Sequence, residues 1–153
     1  MDIVDEFRAV VTALNTAKVP YAVCGGFAVF IHGFPRHTQD IDLLIRDEDL
    51  SHAKEILASL GFTIDSGSFT FHQGKPNESR FHRVVKVVGE DFLMLDLLAV
   101  TPARVAVFNE REARLAGTLP VTVISRAGLR TMKLDAGRPK DLEDLRKLEL
   151  MDD

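Results

Sequence analysis

Ile3, Phe7, Val10, Val11 and Leu14 recur at helical spacing, so residues 2 to 17 predict a first amphipathic helix. Pro20 opens a short apolar strand that runs to Cys24. The pair Gly25-Gly26 then turns the chain tightly ahead of a short helix over Phe27 to His32, which Gly33 and Pro35 stop. After an apolar segment at Ile41 to Ile45, the acidic run Asp47-Glu48-Asp49 supplies helix-start chemistry. Leu50, Ala53, Ile56, Leu57 and Leu60 form the buried stripe of the helix that follows, and Gly61 closes it. From there to about residue 98 the pattern is β: Phe62 to Ile64, Ser68 to His72, Arg80 to Val88, and Phe92 to Leu98 behind a Gly89-Glu90-Asp91 hairpin turn. Thr101-Pro102 caps a stretch, Ala103 to Leu115, that reads as helical in pieces. One more strand falls within Thr118 to Ile124. Ser125 caps a helix with Leu129, Met132 and Ala136, Gly137-Arg138-Pro139 breaks it, and Lys140 to Met151 forms a last helix. Strands and helices intermix, and the strand candidates joined by turns are neighbours in sequence. This predicts an α/β (α+β) fold with a mixed sheet and flanking helices.

The polar positions that break this pattern carry the chemistry. Arg36 to Ile45 begins polar and becomes an apolar strand holding two carboxylates, Asp40 and Asp42. Residues two apart on a strand share a face, about 7 Å along the chain. The two carboxylates therefore point one way while Ile41, Leu43 and Ile45 point into the packing. Converging carboxylates repel unless a cation sits between them or a proton is shared. A hard divalent ion, magnesium above all, takes such oxygen ligands. Asp96 stands alone in the apolar run Phe92 to Leu98, where an unpaired charge would cost several kcal/mol or more. Beside Asp40 and Asp42 it would complete a set of three carboxylates able to hold one or two metal ions for in-line displacement at phosphorus. Removing its charge, as in Asp96→Asn, is then expected to relieve repulsion in the metal-free protein. The hairpin register decides whether Arg80, His82 or Arg83 comes near Asp96.

Composition narrows the classes only a little. The chain has 153 residues, 46% hydrophobic and 27% charged, an ordinary balance for one globular domain. A formal charge of -4 offers no global basic field for nucleic acid. The lone cysteine, Cys24, excludes an internal disulfide and reads as core rather than as a nucleophile. No apolar run reaches the length of a membrane span, and the acidic, amphipathic start is unlike a secretory signal, so the expected location is cytoplasmic. His32, His37, His72 and His82 have no spacing suited to zinc.

Gly25-Gly26, Asp40-Ile41-Asp42 and the later Asp96, taken together, resemble a minimal nucleotidyltransferase of the DNA polymerase beta-like superfamily. The chain is particularly similar to the nucleotidyltransferase toxins of abortive-infection toxin–antitoxin systems. Arg36-x-Thr38-x-Asp40 and the ending around Lys133, Arg138, Lys140, Asp141 and Asp144 also match small members of that group, and the resemblance spans roughly residues 18 to 148. It implies that residues 1–153 form a single nucleotidyltransferase-like domain. It also implies that Asp40, Asp42 and Asp96 are catalytic and bind Mg2+, and that Gly25, Gly26, Arg36, Thr38, Lys133, Arg138 and Lys140 meet the nucleotide. One departure is Gly26, where many catalytic relatives carry Ser.

The function so implied is magnesium-dependent transfer of a nucleoside monophosphate from an NTP to a hydroxyl acceptor, with release of pyrophosphate. The acceptor is a tRNA, a protein hydroxyl or a small molecule, and an antitoxin or partner subunit could help to hold it. Two other readings stay open: a non-catalytic nucleotide-binding or toxin–antitoxin interaction module, and an antibiotic-like small-molecule nucleotidyltransferase. Asp141 and Asp144 are explained by helix capping, with pairing to Arg138 or Lys133 as the alternative. Phe69, Phe71, Phe81 and Phe92 are expected in the core rather than on a base-stacking platform.

Overall fold

The computed structural model describes residues 1–35 and 37–152, with the side chains of 149–152 left aside. Seven strands form one mixed sheet in the order β3-β4-β5-β2-β1-β7-β6. The strands are β1 (Ala22–Cys24), β2 (Ile41–Ile45), β3 (Ile64–Phe71), β4 (Ser79–Val88), β5 (Asp91–Ala99), β6 (Glu112–Ala116) and β7 (Leu119–Val123). The helices are α1 (Ile3–Thr16), α2 (Gly25–Ile31), α3 (Leu50–Ser59), α4 (Val105–Asn109), α5 (Arg126–Ala136) and α6 (Pro139–Asp152). Among the described residues, no helix is long and apolar enough to cross a membrane.

β2 lies at the centre. It runs antiparallel to β1 and parallel to β5, and Ile41, Leu43, Leu44 and Ile45 are all buried. Burial on both faces is what a strand in the middle of a covered sheet requires. Asp42 is the one residue of β2 that reaches solvent. The Asp2 carboxylate caps α1 by accepting from the Val4 and Asp5 amides, and Phe7, Val10, Val11 and Leu14 are its buried stripe, as the spacing predicts. The Phe7 ring stacks on Phe27 of α2 at 4.0 Å between centroids, so the first helix helps to seat the glycine-pair helix.

Three expectations change. Glu112–Ala116 is a strand, not helix: it pairs antiparallel with β7 through the two-residue loop Gly117-Thr118, with Gly117 at φ +65. Helix propensity in Arg-Glu-Ala-Arg-Leu-Ala is a weak preference that ladder pairing overrides. β3 is continuous over Ile64–Phe71, absorbing a register shift between Asp65 and Gly67, so the two short pieces are one edge strand. Phe69, Phe71 and Phe92, expected in the core, are not there. Phe69 is 41% exposed, Phe71 52% and Phe92 65%.

Candidate active site

The parallel register of β2 and β5 puts Asp42 directly opposite Asp96, and Cys24 lies opposite Asp42 on the other side. Partners in a parallel pair present their side chains to the same face, so Asp42 and Asp96 converge as expected. Asp40 immediately precedes β2, two residues from Asp42. Gly25 opens α2 at φ +65, and a Cβ on it would stand 2.1 Å from Asp42 Oδ2. Only glycine lets the backbone approach the carboxylate this closely. The three aspartates and both glycines line a cleft of about 720 Å³.

The cleft is electrostatically crowded. Burial, then Asp96 and Asp40, push the Asp42 carboxyl up to about 7, with Lys133 and Arg138 offsetting only part of this. Burial and Asp96 raise Asp40 as well, against the pull of Arg83 and Lys140. Asp96 has found its own cation. Arg83 faces it across the β4–β5 register, and its guanidinium donates from Nε to Oδ1 at 2.8 Å and from Nη2 to Oδ2 at 3.0 Å. Of the three basic residues that could have met Asp96, the register selects Arg83. Arg80 instead pairs with Asp47, and His82 with Asp65 and Ser68. Among the described residues no group of three or more His, Cys, Asp or Glu side chains is arranged to hold a metal ion.

The opposite wall comes from α5 and α6. Lys133 is buried, and its ammonium donates to Asp141 at 3.1 Å and Asp144 at 3.0 Å. Asp141 caps the start of α6 by accepting the Arg138 backbone amide at 3.2 Å, and buried Asp141 and Asp144 together hold Lys133, so the capping and pairing readings both apply to Asp141. Asp141 also accepts from Arg138, Nε to Oδ2 at 2.6 Å. Burial would raise the Asp141 carboxyl, but the Arg138 and Lys133 hydrogen bonds outweigh it and hold the group below the usual carboxylate range. Lys133, Arg138 and Lys140 all line the cleft, as do Thr38 and His37. Thr38 stands behind Gly26, its Oγ1 2.9 Å from where a Cβ would be. Arg36 lies outside the described residues. Cys24 is buried, and burial above all, with Asp42 beside it, raises its thiol well above the ordinary range, which fits the core reading.

Two features of the cleft escaped the sequence reading. Arg104 is buried and donates to Asp135 at 2.7 Å, joining the turn after β5 to α5. Its only signal was an arginine next to an apolar helix, which has many explanations. The other is the aromatic wall: Phe81 stacks between Phe69 and Phe71, at 5.1 and 5.8 Å. Their alternation along β3 and β4 placed them on one face without saying whether anything covers it.

The model of one protein family, described as aminoglycoside-2''-adenylyltransferase, matches residues 6–91, a span holding the glycine pair, Asp40 and Asp42 and ending short of Asp96. No curated protein matches the chain. Among solved structures, a candidate nucleotidyltransferase from Thermotoga maritima is similar at a TM-score of 0.64 and 16% identity, over 95% of this chain and 91% of that one. ANT(2'')-Ia in complex with adenylyl-2''-tobramycin is similar at 0.61 and 18%, over 95% and 86%. An antigenic nucleotidyltransferase-like protein from Paracoccidioides brasiliensis is similar at 0.57 and 18%, over 94% and 75%. These likenesses show a shared fold. With the family match covering more than half of its residues, the chain belongs to the aminoglycoside-2''-adenylyltransferase family of nucleotidyltransferases.

Proposed function

We propose that the protein transfers a nucleoside monophosphate from an NTP to a hydroxyl acceptor, releasing pyrophosphate, with Asp40, Asp42 and Asp96 as the catalytic carboxylates. The observation that carries this is the Asp42–Asp96 pairing across β2 and β5, beside the glycine pair and Asp40. The reading takes residues 1–153 as one nucleotidyltransferase-like domain, supported by a single sheet that runs unbroken from β3 to β6.

Asp40, Asp42 and Asp96 are hard oxygen donors of the kind a divalent cation takes, and bringing all three onto one ion would need them to draw closer than they stand. Asp42 held up to about 7 by burial and two like charges is a site short of positive charge. Asp40, Asp42 and Asp96 would hold Mg2+, which supplies neutralisation of the phosphates and acidification of the acceptor hydroxyl when bound. The rest of the work falls to the protein. The Gly25 and Gly26 amides and Thr38 lie where a phosphate chain enters the cleft. Arg138, steered by Asp141, and Lys140 bring positive charge to its rim, and Lys133 keeps α5 and α6 together behind them. Asp96, paired with Arg83, would receive the acceptor's proton through an oxygen lone pair that the guanidinium leaves free.

Incubation with each α-labelled NTP and Mg2+, with cellular RNA, cellular protein or tobramycin as acceptor, tests the reading. Label should reach one acceptor class with the wild type and drop by orders of magnitude with Asp42→Asn or Asp96→Asn. Absence of any transfer together with absence of Mg2+-dependent NTP binding would overturn it. A second reading, an aminoglycoside hydroxyl as acceptor, is favoured by the family match and the tobramycin complex of ANT(2'')-Ia. Transfer to tobramycin alone would select it.

A further inference from the structure

The half of the cleft beside Asp96 is built from β3, β4 and β5 and the turn joining the first two. Register places Phe69 opposite Phe81, Phe81 opposite Leu98, and Arg83 opposite Asp96, so these side chains share one face of the sheet. Phe81 stacks with Phe69 at 24° and with Phe71 at 20° between ring planes. The Arg83 guanidinium lies 5.3 Å from the Phe81 ring centre and 5.8 Å from that of Phe69. Phe71 and Phe81 line the cleft together with Arg83 and Asp96. The result is a row of rings leading to the carboxylate that faces the acceptor, with the outermost ring more than half exposed. An exposed aromatic row continuous with a reaction centre marks a binding surface.

Its charge says what it binds. Asp96 is the one carboxylate among the cleft residues of these three strands and their turn, and Arg83 covers it; the other carboxylates of the cleft, Asp40, Asp42, Asp135 and Asp141, come from other elements. A polycation such as an aminoglycoside needs several carboxylates and would meet a guanidinium first. A flat, uncharged heterocycle stacks on phenylalanine whatever its edge pattern, and arginine beside the rings adds to this. We infer that the acceptor half of the cleft takes a nucleobase, stacked on Phe71 and Phe81, whose ribose hydroxyl is the acceptor. This rests on the transferase reading above. In the step, the ribose oxygen bonds to the α-phosphorus and the bond from that phosphorus to the bridging oxygen of the β-phosphate breaks. Pyrophosphate leaves, and the hydroxyl proton passes to Asp96.

A fluorescent single-stranded RNA 12-mer of mixed sequence and a mixture of free nucleosides serve as probes, with tobramycin as the polycationic control. NTP binding is followed separately by thermal shift. Transfer to the 12-mer or to nucleosides is expected, the two arms separating a strand end from a free nucleoside. Phe71→Ala should raise the acceptor's KM about tenfold or more, as loss of a base–aromatic stack does. Phe71→Tyr should restore it, and the NTP's KM should stay put in both. Phe71 is exposed, so its loss leaves the fold intact; Phe69→Ala provides a second exposed position. Transfer to tobramycin or to protein alone, or an acceptor KM indifferent to Phe71→Ala, overturns this inference and leaves the transferase reading standing. Loss of Mg2+-dependent NTP binding in the wild type overturns both.

Discussion

Arg83 grips both carboxylate oxygens of Asp96, at 2.8 and 3.0 Å, and so competes for them with a metal ion or an attacking hydroxyl, which would use their remaining lone pairs. The third carboxylate is thereby stabilised, and the repulsion that remains falls on Asp42 and Asp40. Asp96→Asn, expected from sequence to relieve repulsion, would remove the like charge that Asp96 sets against Asp42 and Asp40 but would also strip Arg83 of its partner, so the two effects oppose each other.

Arg83→Gln is expected to destabilise the metal-free protein by about 1–2 kcal/mol, the scale of charge-assisted hydrogen bonds at a partly exposed site. For a chain of this length that lowers Tm by about 2–8 °C. The Mg2+ concentration giving half-maximal thermal stabilisation should fall several-fold, because one competing cation has gone. An unchanged Mg2+ midpoint would show that Arg83 does not compete.

Asp42 sets a pH dependence of definite sign. Its folded pKa of about 7 lies above the ordinary carboxylate value, so in the pH 4 to 7 window the native state holds a proton that the unfolded chain has released. This group's contribution is complete at low pH and is lost as pH rises through about 7. Asp42→Asn should therefore gain stability over wild type at pH 8, by a few kcal/mol at most, and gain little at pH 4. Urea melts at the two pH values measure it. The same substitution should abolish the Mg2+-induced rise in Tm at pH 8.

Lys133 shows the opposite case. Its side chain is 8% exposed and its ammonium sits between the carboxylates of two side chains that are 1% and 5% exposed. Removing one partner of a buried ionic cluster typically costs about 3–5 kcal/mol. Lys133→Met should lose about that much in denaturant unfolding. The loss should shrink as Asp141 takes a proton, since a lowered folded pKa contributes stability above the unfolded value and gives it up as pH falls.

Glycine at 26 is coupled to Thr38. A Cβ there would lie 2.9 Å from Thr38 Oγ1 and 3.1 Å from its Cγ2, so the serine common among catalytic relatives does not fit as the loop stands. Gly26→Ser alone should lower both Tm and Mg2+-dependent NTP affinity. Gly26→Ser with Thr38→Ala should recover both, since Thr38 Cβ stands back at 3.5 Å. Additive effects in the double variant would deny the coupling.

Much of this architecture was written along the chain. Helical spacing marked α1, α3 and α5, and an apolar run interrupted by Asp40 and Asp42 marked a strand that needed something opposite its charges. Asp96 was conspicuous because a lone carboxylate in Phe92 to Leu98 has no apolar explanation. What periodicity describes is one element and its two faces, so everything that follows from an element's own residues was legible.

Contacts between elements were decided only by the packed sheet. Pairing with β7 made a strand of Glu112–Ala116 against its helical composition. The β4–β5 register chose Arg83 over Arg80 and His82 as the partner of Asp96. The approach of α6 to α5 made Asp144 and Asp141, the latter also a cap on the Arg138 amide, the buried partners of Lys133. An alternating strand records which residues share a face, but the layer that covers the face, or leaves Phe69 and Phe71 in water, belongs to distant chain.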